Sequence, residues 1–264
     1  MNRPFTVLCA GGSDSGGGAG IQADLKAVLA CGCYGTSVIT ALTAQNTRGV
    51  LDIFPVPPKF IAAELDAVLS DIGADALKTG MLLTPGAVLA VAKSIEEYRL
   101  RHVVVDPVMM AKGGRMMMQE RAKQALIKKL LPLTEVLTPN IPEAETLAKM
   151  TIRSVSSMKK AAAVILGLGV KSVVIKGGHL PGRKKDASID VFYDGKNYFE
   201  FSEDWIETKN THGTGCTFAS ALAAGLAQGK SVLQAVHQAK LAVTQAIRQS
   251  HRLGRGHGPV NILG

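Results

Sequence analysis

The sequence predicts an α/β chain, a parallel central sheet wrapped by helices, and three observations predict it. Apolar runs of strand length alternate with stretches of helical periodicity along the whole chain. Each parallel-strand run ends in glycine or polar punctuation of the kind that lines a crevice rather than a hairpin. No linker, low-complexity segment or internal repeat interrupts the pattern, so a single domain over residues 1–264 is expected.

The elements follow in order. Residues 6–10 (TVLCA) make the first expected strand, and Ile21, Leu25, Val28 and Leu29 then recur at three- and four-residue steps as one face of a helix. A strand over 37–43 precedes a second helical stripe of Phe60, Ile61, Leu65, Val68 and Leu69. Short apolar runs at 76–78, 103–105, 135–138 and 172–175 read as further strands. Residues 189–193 and 198–201 flank Asp194-Gly195, a dipeptide suited to a type I′ hairpin turn. A small-residue apolar helix over 217–227 and a longer one marked by Val232, Val236, Ala239 and Val243 complete the chain.

Composition narrows the function. With 264 residues, 47% apolar and 19% charged, the chain is globular and long enough to bury a core without disulfide or metal support. The longest uncharged apolar stretch, 161–170, lies between Lys160 and Lys171 and falls far short of the roughly 20 residues of a membrane span. The apolar run at 5–10 is too short for a signal-peptide core, so an intracellular chain is expected. Thirty Lys+Arg against 21 Asp+Glu give a net charge of +9, which favours anionic partners. The basic residues are dispersed, and aromatics, at 5%, are nowhere interleaved with them as a nucleic-acid stacking platform requires. Phosphorylated small molecules are the better partner. Cys9, Cys31, Cys33 and Cys216 match neither a zinc site nor a disulfide ladder, and the histidines form no ligand cluster. No structural metal is expected.

The punctuation marks candidate site residues. Gly11-Gly12 follows the first strand, Gln45 the second, Thr79-Gly80-Met81 the third, Asp106-Pro107 the fourth, Thr138-Pro139-Asn140 the fifth and Lys176-Gly177-Gly178 the sixth. If the strands are parallel, Gln45, Asp106, Asn140 and Lys176 line one rim. Each has an ordinary reading as a turn or cap residue, and it is their coincidence that points to a site.

Three glycine-rich or capping segments carry the chemistry. GGSDSGGGAG, residues 11–20, lacks the G-x-G-x-x-G register of a dinucleotide fold and the G-K-[ST] ending of a P-loop; it is either a flexible turn or a loop whose bare backbone approaches a ligand. THGTGC, residues 211–216, opens an apolar helix, so Gly213, Thr214 and Gly215 would turn amide N–H groups towards an anion. Cys216 would sit in the first turn, where the helix field lowers a thiol pKa below its usual ~8.5; the alternative is a small buried cysteine under the helix. In TPNIPEAE, Asn140 and Glu143 either form a capping box or turn Glu143 to the crevice to hold a hydrated Mg²⁺ beside nucleotide phosphates.

Taken in order, GGSDSGGGAGIQADLKA, TAQNTRGV, LKTGML, VVVDPVM, LTPNIPEAE, VVIKGGH and KNTHGTGCTFASALA resemble the ribokinase-like superfamily. Within it they resemble the hydroxymethylpyrimidine/phosphomethylpyrimidine kinases of thiamine biosynthesis, over essentially the whole chain down to Gly256-His257-Gly258-Pro259-Val260. The resemblance implies a three-layer αβα fold with a mostly parallel sheet, a cytoplasmic homodimer without a separate β lid, and neither nucleic acid nor membrane as partner. It implies two transfers of the ATP γ-phosphoryl group, with Mg²⁺: first to 4-amino-5-hydroxymethyl-2-methylpyrimidine, then to its monophosphate. GTGC matches the anion hole, with Cys216 at the catalytic-base position and Lys176 beside the phosphates. Gln45 matches the residue that reads the pyrimidine, since an amide both donates and accepts. Gly12, Asp24, Met81 and Val108 match further substrate-pocket positions. Asp106, Asn140, Glu143 and Thr211 match the ATP side, with Mg²⁺ held by Asp106 and Glu143 through water. The loop 111–117 resembles a flap, and the run Met116, Met117, Met118 has no assigned role. With the chain ending at Gly264, no second enzyme fused behind the kinase is expected.

Three rivals remain. A pyridoxal kinase would share the anion hole, but the glutamine at position 45 favours the pyrimidine over it. A non-catalytic pyrimidine sensor would be expected to lack Asp106, Glu143 or the anion hole, all of which are present. A dinucleotide oxidoreductase lacks its fingerprint.

Overall fold

The computed structural model describes residues 3–110, 117–178, 180 and 187–263. Its strands are β1 (Thr6–Asp14), β2 (Tyr34–Asn46), β3 (Gly49–Pro55), β4 (Ala76–Thr79), β5 (His102–Val105), β6 (Val136–Leu137), β7 (Ser172–Ile175), β8 (Ala187–Tyr193) and β9 (Tyr198–Asp204). They form one nine-stranded sheet in the order β3-β2-β1-β4-β5-β6-β7-β8-β9. The stretch from β2 to β7 is parallel throughout, and β3, β8 and β9 join antiparallel at the two edges.

Helices cover both faces. On one side lie α2 (Pro58–Leu69), α3 (Pro85–Glu97), α4 (Glu120–Ala125), α5 (Ile141–Ala148) and α6 (Val155–Leu166); on the other lie α1 (Gly20–Ala30), α7 (Thr214–Ala227) and α8 (Val232–Arg248). Successive strand residues divide between the two layers: Leu8, Leu77, Val103, Val105 and Val173 pack with α2–α6, whereas Val7, Ala76, Val104 and Val174 pack with α1, α7 and α8. A strand buried on both faces must be apolar at every position, which is why these strands read as continuous runs rather than alternations. Helix α7 is buried almost all round from Thr217 to Ala227 and therefore has no polar stripe.

Several expectations need correction. Strand β1 runs on through Gly11 and Gly12 to Asp14, with a register shift between the two glycines, so the pair is a bulge inside the strand rather than the turn after it. Gln45 lies within β2, near the hairpin to β3. Strand β3 was not foreseen: it is an exposed edge strand whose apolar residues do not alternate, Val50 and Ile53 packing inward while Leu51 and Phe54 face out. The β8–β9 loop has four residues, 194–197, and is not a two-residue type I′ turn. Type I′ needs positive φ at both central residues; here Gly195 has φ 92° and Asp194 is not in that region, its carboxylate instead accepting from the Lys196 and Asn197 amides. Leu29 and Phe60, placed on buried stripes, are exposed. The flap-like loop falls largely on residues 111–116, outside the described residues; Met117 and Met118 are buried in two different apolar clusters.

Candidate active site

A cavity of about 380 Å³ opens at the carboxyl ends of the parallel strands, and Gln45, Asp106, Asn140 and Lys176 all line it. The four strand tips thus meet at one place, with β1 and β4 lying between β2 and the β5–β6–β7 trio.

The floor is the start of α7. Gly213 caps the helix with φ 86° and no side-chain bond. A Cβ there would lie 1.8 Å from the Gly18 carbonyl oxygen, so this turn admits only glycine. At Gly215 a Cβ would stand 3.3 Å from both Asp106 Oδ2 and Lys176 Nζ, which brings this stretch of backbone against the two charged groups. Because the helix begins at Thr214, residues 214–216 are its first turn, their N–H groups have no partner within the helix, and all three residues line the cavity.

Charge is concentrated above this floor. Lys176 Nζ donates to Asp106 Oδ1 at 2.7 Å, and Thr138 Oγ1 donates to the same oxygen at 3.2 Å. Burial opposes the Lys176 ammonium, but Asp106 and Glu143 outweigh it and raise its pKa. Asn140 and Glu143 form a capping box on α5: the Asn140 side chain accepts from the Glu143 amide at 3.0 Å, and Glu143 Oε2 accepts from the Asn140 amide at 2.9 Å. Glu143 lines the cavity at the same time, so the capping and site readings of this pair hold together. Its pKa is pushed up to about 7, first by burial and then by the neighbouring charge of Asp106. Two buried carboxylates that repel one another fit a divalent cation. Among the described residues no group of three or more His, Cys, Asp or Glu stands together as a metal site, so the fit is to Mg²⁺ that keeps several waters and phosphate ligands.

Cys216 departs from expectation. It is half-buried, and its pKa is pushed up to about 11, because burial outweighs the neighbouring Lys78 charge and the Gly20 amide. A helix-end partial charge is worth less here than desolvation of the thiolate. Beneath it Asp24, expected in the substrate pocket, is paired with a lysine the sequence did not single out: Lys78 Nζ bonds Asp24 Oδ1 at 2.7 Å, with both side chains fully buried. Ser220, one turn after Cys216, donates to the same oxygen at 2.8 Å. Asp24 Oδ2 has no hydrogen-bond partner while the residue bounds the cavity.

The opposite wall is apolar around Met81. Gly12 approaches Met81 so closely that a Cβ would lie 2.3 Å from its methyl carbon, and Met81 packs with Ala41, Leu83, Met117 and Val108. The Gln45 amide lies 3.3 Å from His212 Nε2, which is in turn 2.8 Å from Asp14 Oδ2. Asp14 and His212, like Lys78, were missed; His212 stands inside the THGTGC segment, but only folding brings it to β1 and β2.

A second cavity of about 200 Å³ shares Asn140, Lys176, Thr211, Thr214 and Gly215 with the first, and Trp205, Ile206, Phe218 and Val243 give it apolar walls. The two spaces therefore meet at the first turn of α7.

The sequence profile of the family described as Phosphomethylpyrimidine kinase matches residues 14–261. The thiamine biosynthesis bifunctional protein ThiED of Geobacter sulfurreducens is 54% identical over 98% of this chain, which spans about half (52%) of that longer protein. The hydroxymethylpyrimidine/phosphomethylpyrimidine kinase of Bacillus subtilis is 44% identical over 97% of this chain and 94% of its own. Among solved structures, an ADP complex of Bacillus subtilis pyridoxal kinase superposes with a TM-score of 0.91 at 39% identity, covering 98% of this chain and 97% of that one. A phosphomethylpyrimidine kinase from Clostridium difficile gives 0.81 at 41% identity, covering 92% and 99%.

Proposed function

The chain belongs to the phosphomethylpyrimidine kinase family, and on that premise we propose that it is an ATP-dependent kinase of thiamine biosynthesis acting in two steps. The first phosphorylates the hydroxymethyl group of 4-amino-5-hydroxymethyl-2-methylpyrimidine, and the second phosphorylates the resulting monophosphate to the pyrophosphate. The observation that carries this reading is the meeting of two cavities at the first turn of α7, under Lys176 and Asp106. One space suits an aminopyrimidine and the other a nucleotide base, and the amides between them suit the phosphoryl group in flight.

In this reading residues 1–264 act as one kinase domain. Gly12, Gln45, Met81 and Val108 hold the ring, and Asp24 offers its unpartnered oxygen from below. Asn140 and Thr211 border the nucleotide, while Lys176 and the amides of Gly213, Thr214 and Gly215 neutralise the transferring phosphoryl oxygens. Asp106 and Glu143 would hold Mg²⁺ through water, and the bound ion would supply further charge neutralisation at the ATP phosphates. The bond between the γ-phosphorus and its bridging oxygen breaks as the acceptor oxygen bonds to phosphorus, ADP leaves, and the alcohol proton passes to Cys216 in its thiolate form, the minor form at neutral pH. A phosphate monoester loses its second proton near pH 6, so the second acceptor needs no such base.

Pyridoxal kinase activity is a second reading, favoured by the close superposition on pyridoxal kinases. We place the protein in the cytoplasm, where ATP is supplied and its four free cysteines stay reduced, and as a homodimer. The exposed Leu42 and Phe54, directly opposite on β2 and β3, are suited to meet a second copy. The experiment is ADP release measured with the aminopyrimidine alcohol, its monophosphate and pyridoxal side by side. The two pyrimidine substrates should lead; turnover of pyridoxal alone would replace this reading with the second.

A further inference from the structure

We propose that His212 and Asp14 set which way round the Gln45 amide is presented, and so select a heterocycle with an amino donor beside a ring-nitrogen acceptor over one with the reverse pair. This inference rests on the reading of Gln45 as the residue that meets the ring.

Counting protons fixes the orientation. Asp14 ends β1 and is almost fully buried, and its carboxylate receives the Gly16 amide on Oδ1 at 2.8 Å and the Gly18 and Ala19 amides on Oδ2 at 3.1 and 2.9 Å. Burial pushes its pKa up, but the bonds from His212, Gly16 and Ala19 prevail and lower it, so Asp14 is ionised and accepts only. The 2.8 Å contact from His212 Nε2 to Asp14 Oδ2 therefore requires the proton to be on Nε2. The atom placed as Gln45 Nε2 lies 3.3 Å from that same His212 Nε2, but nitrogen and oxygen of an amide are interchangeable by a half-turn and are assigned by their partners. An NH₂ group there would oppose donor to donor, so this end is the carbonyl oxygen.

The other end gives the same answer independently. The atom placed as Gln45 Oε1 lies 3.1 Å from Thr43 Oγ1, but the single hydroxyl proton of Thr43 cannot serve both it and the Ser13 carbonyl, and the shorter contact, 2.8 Å, takes it. Thr43 is left as an acceptor, so the amide end facing it is the NH₂. Reversing the amide makes both contacts repulsive at once. The backbone cannot turn to compensate, because the Gln45 amide donates to Ser15 Oγ and the Gln45 carbonyl accepts from it, each at 2.8 Å.

The Gln45 carbonyl takes the weaker share of the Nε2–H that chiefly serves Asp14, the NH₂ spends one proton on Thr43, and each end keeps one valence for a ligand: an acceptor on the His212 side and a donor on the Thr43 side. A 4-aminopyrimidine offers the complement. A 4-oxopyrimidine offers a carbonyl and a ring N–H in the opposite order and meets two mismatched contacts. His212 is thus a positioning residue for Gln45, and it ties the first turn of α7 to the ring-reading wall.

The test compares kcat/KM for the 4-amino substrate and its 4-oxo analogue in the wild type, His212→Phe and Thr43→Val, with histidine ¹⁵N NMR on the ligand-free wild type and His212→Phe as the assignment control. The wild type is expected to prefer the amino compound by at least about 100-fold. In His212→Phe the amide is free to turn, and the preference should fall below about 10-fold; Thr43→Val should erode it by a smaller factor. A purely structural role would lower both rates together and leave their ratio unchanged in both variants, and that result overturns the proposal. The NMR spectrum should show His212 protonated at Nε2, and a neutral Nδ1–H tautomer overturns the proposal whatever the kinetics show. If the wild type turns over neither compound, the kinase reading fails, and the tautomer alone decides this inference.

Discussion

Lys78 Nζ lies 2.7 Å from Asp24 Oδ1 with neither side chain reaching solvent. The pair joins the end of β4 to α1 beneath Cys216 and Asp106; burial opposes the Lys78 ammonium, but the charge of Asp24, with that of Asp106, outweighs it and raises its pKa. A buried cation here offsets an otherwise acidic floor. Breaking such a pair by removing one partner leaves an uncompensated buried charge, so Lys78→Met should destabilise the chain by about 3–5 kcal/mol, and Lys78→Met with Asp24→Asn should recover most of it. Urea unfolding measures both, and equal midpoints for wild type and Lys78→Met would show the pair to be inert.

The thiol at about 11 has a kinetic consequence. At neutral pH Cys216 is almost wholly protonated, so phosphorylation of the alcohol should accelerate as pH rises from 7 towards 10. Phosphorylation of the monophosphate should be nearly level over that range, its acceptor having ionised near pH 6. Cys216→Ala should damage the alcohol step by roughly 10²–10⁴-fold and the monophosphate step far less. Single-turnover rates against pH for each substrate decide it; equal losses in both steps would reduce Cys216 to a matter of shape.

Glu143, raised to about 7, links stability to pH. Its unfolded value is about 4.3, so between the two the folded chain keeps a proton that the unfolded chain has lost. The contribution is fully present below pH ~4.3 and disappears as pH rises through about 7. Glu143→Gln should flatten that decline in a series of urea titrations. Binding of Mg²⁺ with a nucleotide should release a proton near pH 6.5, detected calorimetrically in two buffers of different ionisation enthalpy, and Glu143→Gln should abolish the release.

Two glycines with nearly the same backbone separate strain from contact. Gly213 has φ 86°, and a Cβ added there would lie 1.8 Å from the Gly18 carbonyl oxygen, while Gly229 has φ 80° and open space around it. Gly229→Ala should cost about 1–2 kcal/mol of backbone strain. Gly213→Ala should cost clearly more and abolish ADP release, because the loop carrying Gly18 must also move. Similar thermal shifts in the two variants would show that the close approach to Gly18 adds nothing to the backbone strain.

Much of the fold was legible because parallel strands buried on both faces must be apolar throughout. Residues 172–175 were read to the residue, while β3, mostly exposed, has no such signature. The punctuating Gln45, Asp106, Asn140 and Lys176 were legible as a rim for the same topological reason. Lys78 was not. A lysine after two apolar residues reads as surface, and only the approach of Asp24, 54 positions away, allows its burial.

By itself, then, the sequence determined the layers, the strand tips and the glycine that opens α7, since these depend on local periodicity and on a φ angle that a single residue permits. The tertiary structure alone decided the electrostatics: Cys216 raised rather than lowered, Glu143 shared between a cap and a cavity, and His212 set against Asp14 and Gln45. Charge energies depend on distance and on the water excluded around each group, and both are properties of groups brought together by folding from positions as far apart as 14 and 212.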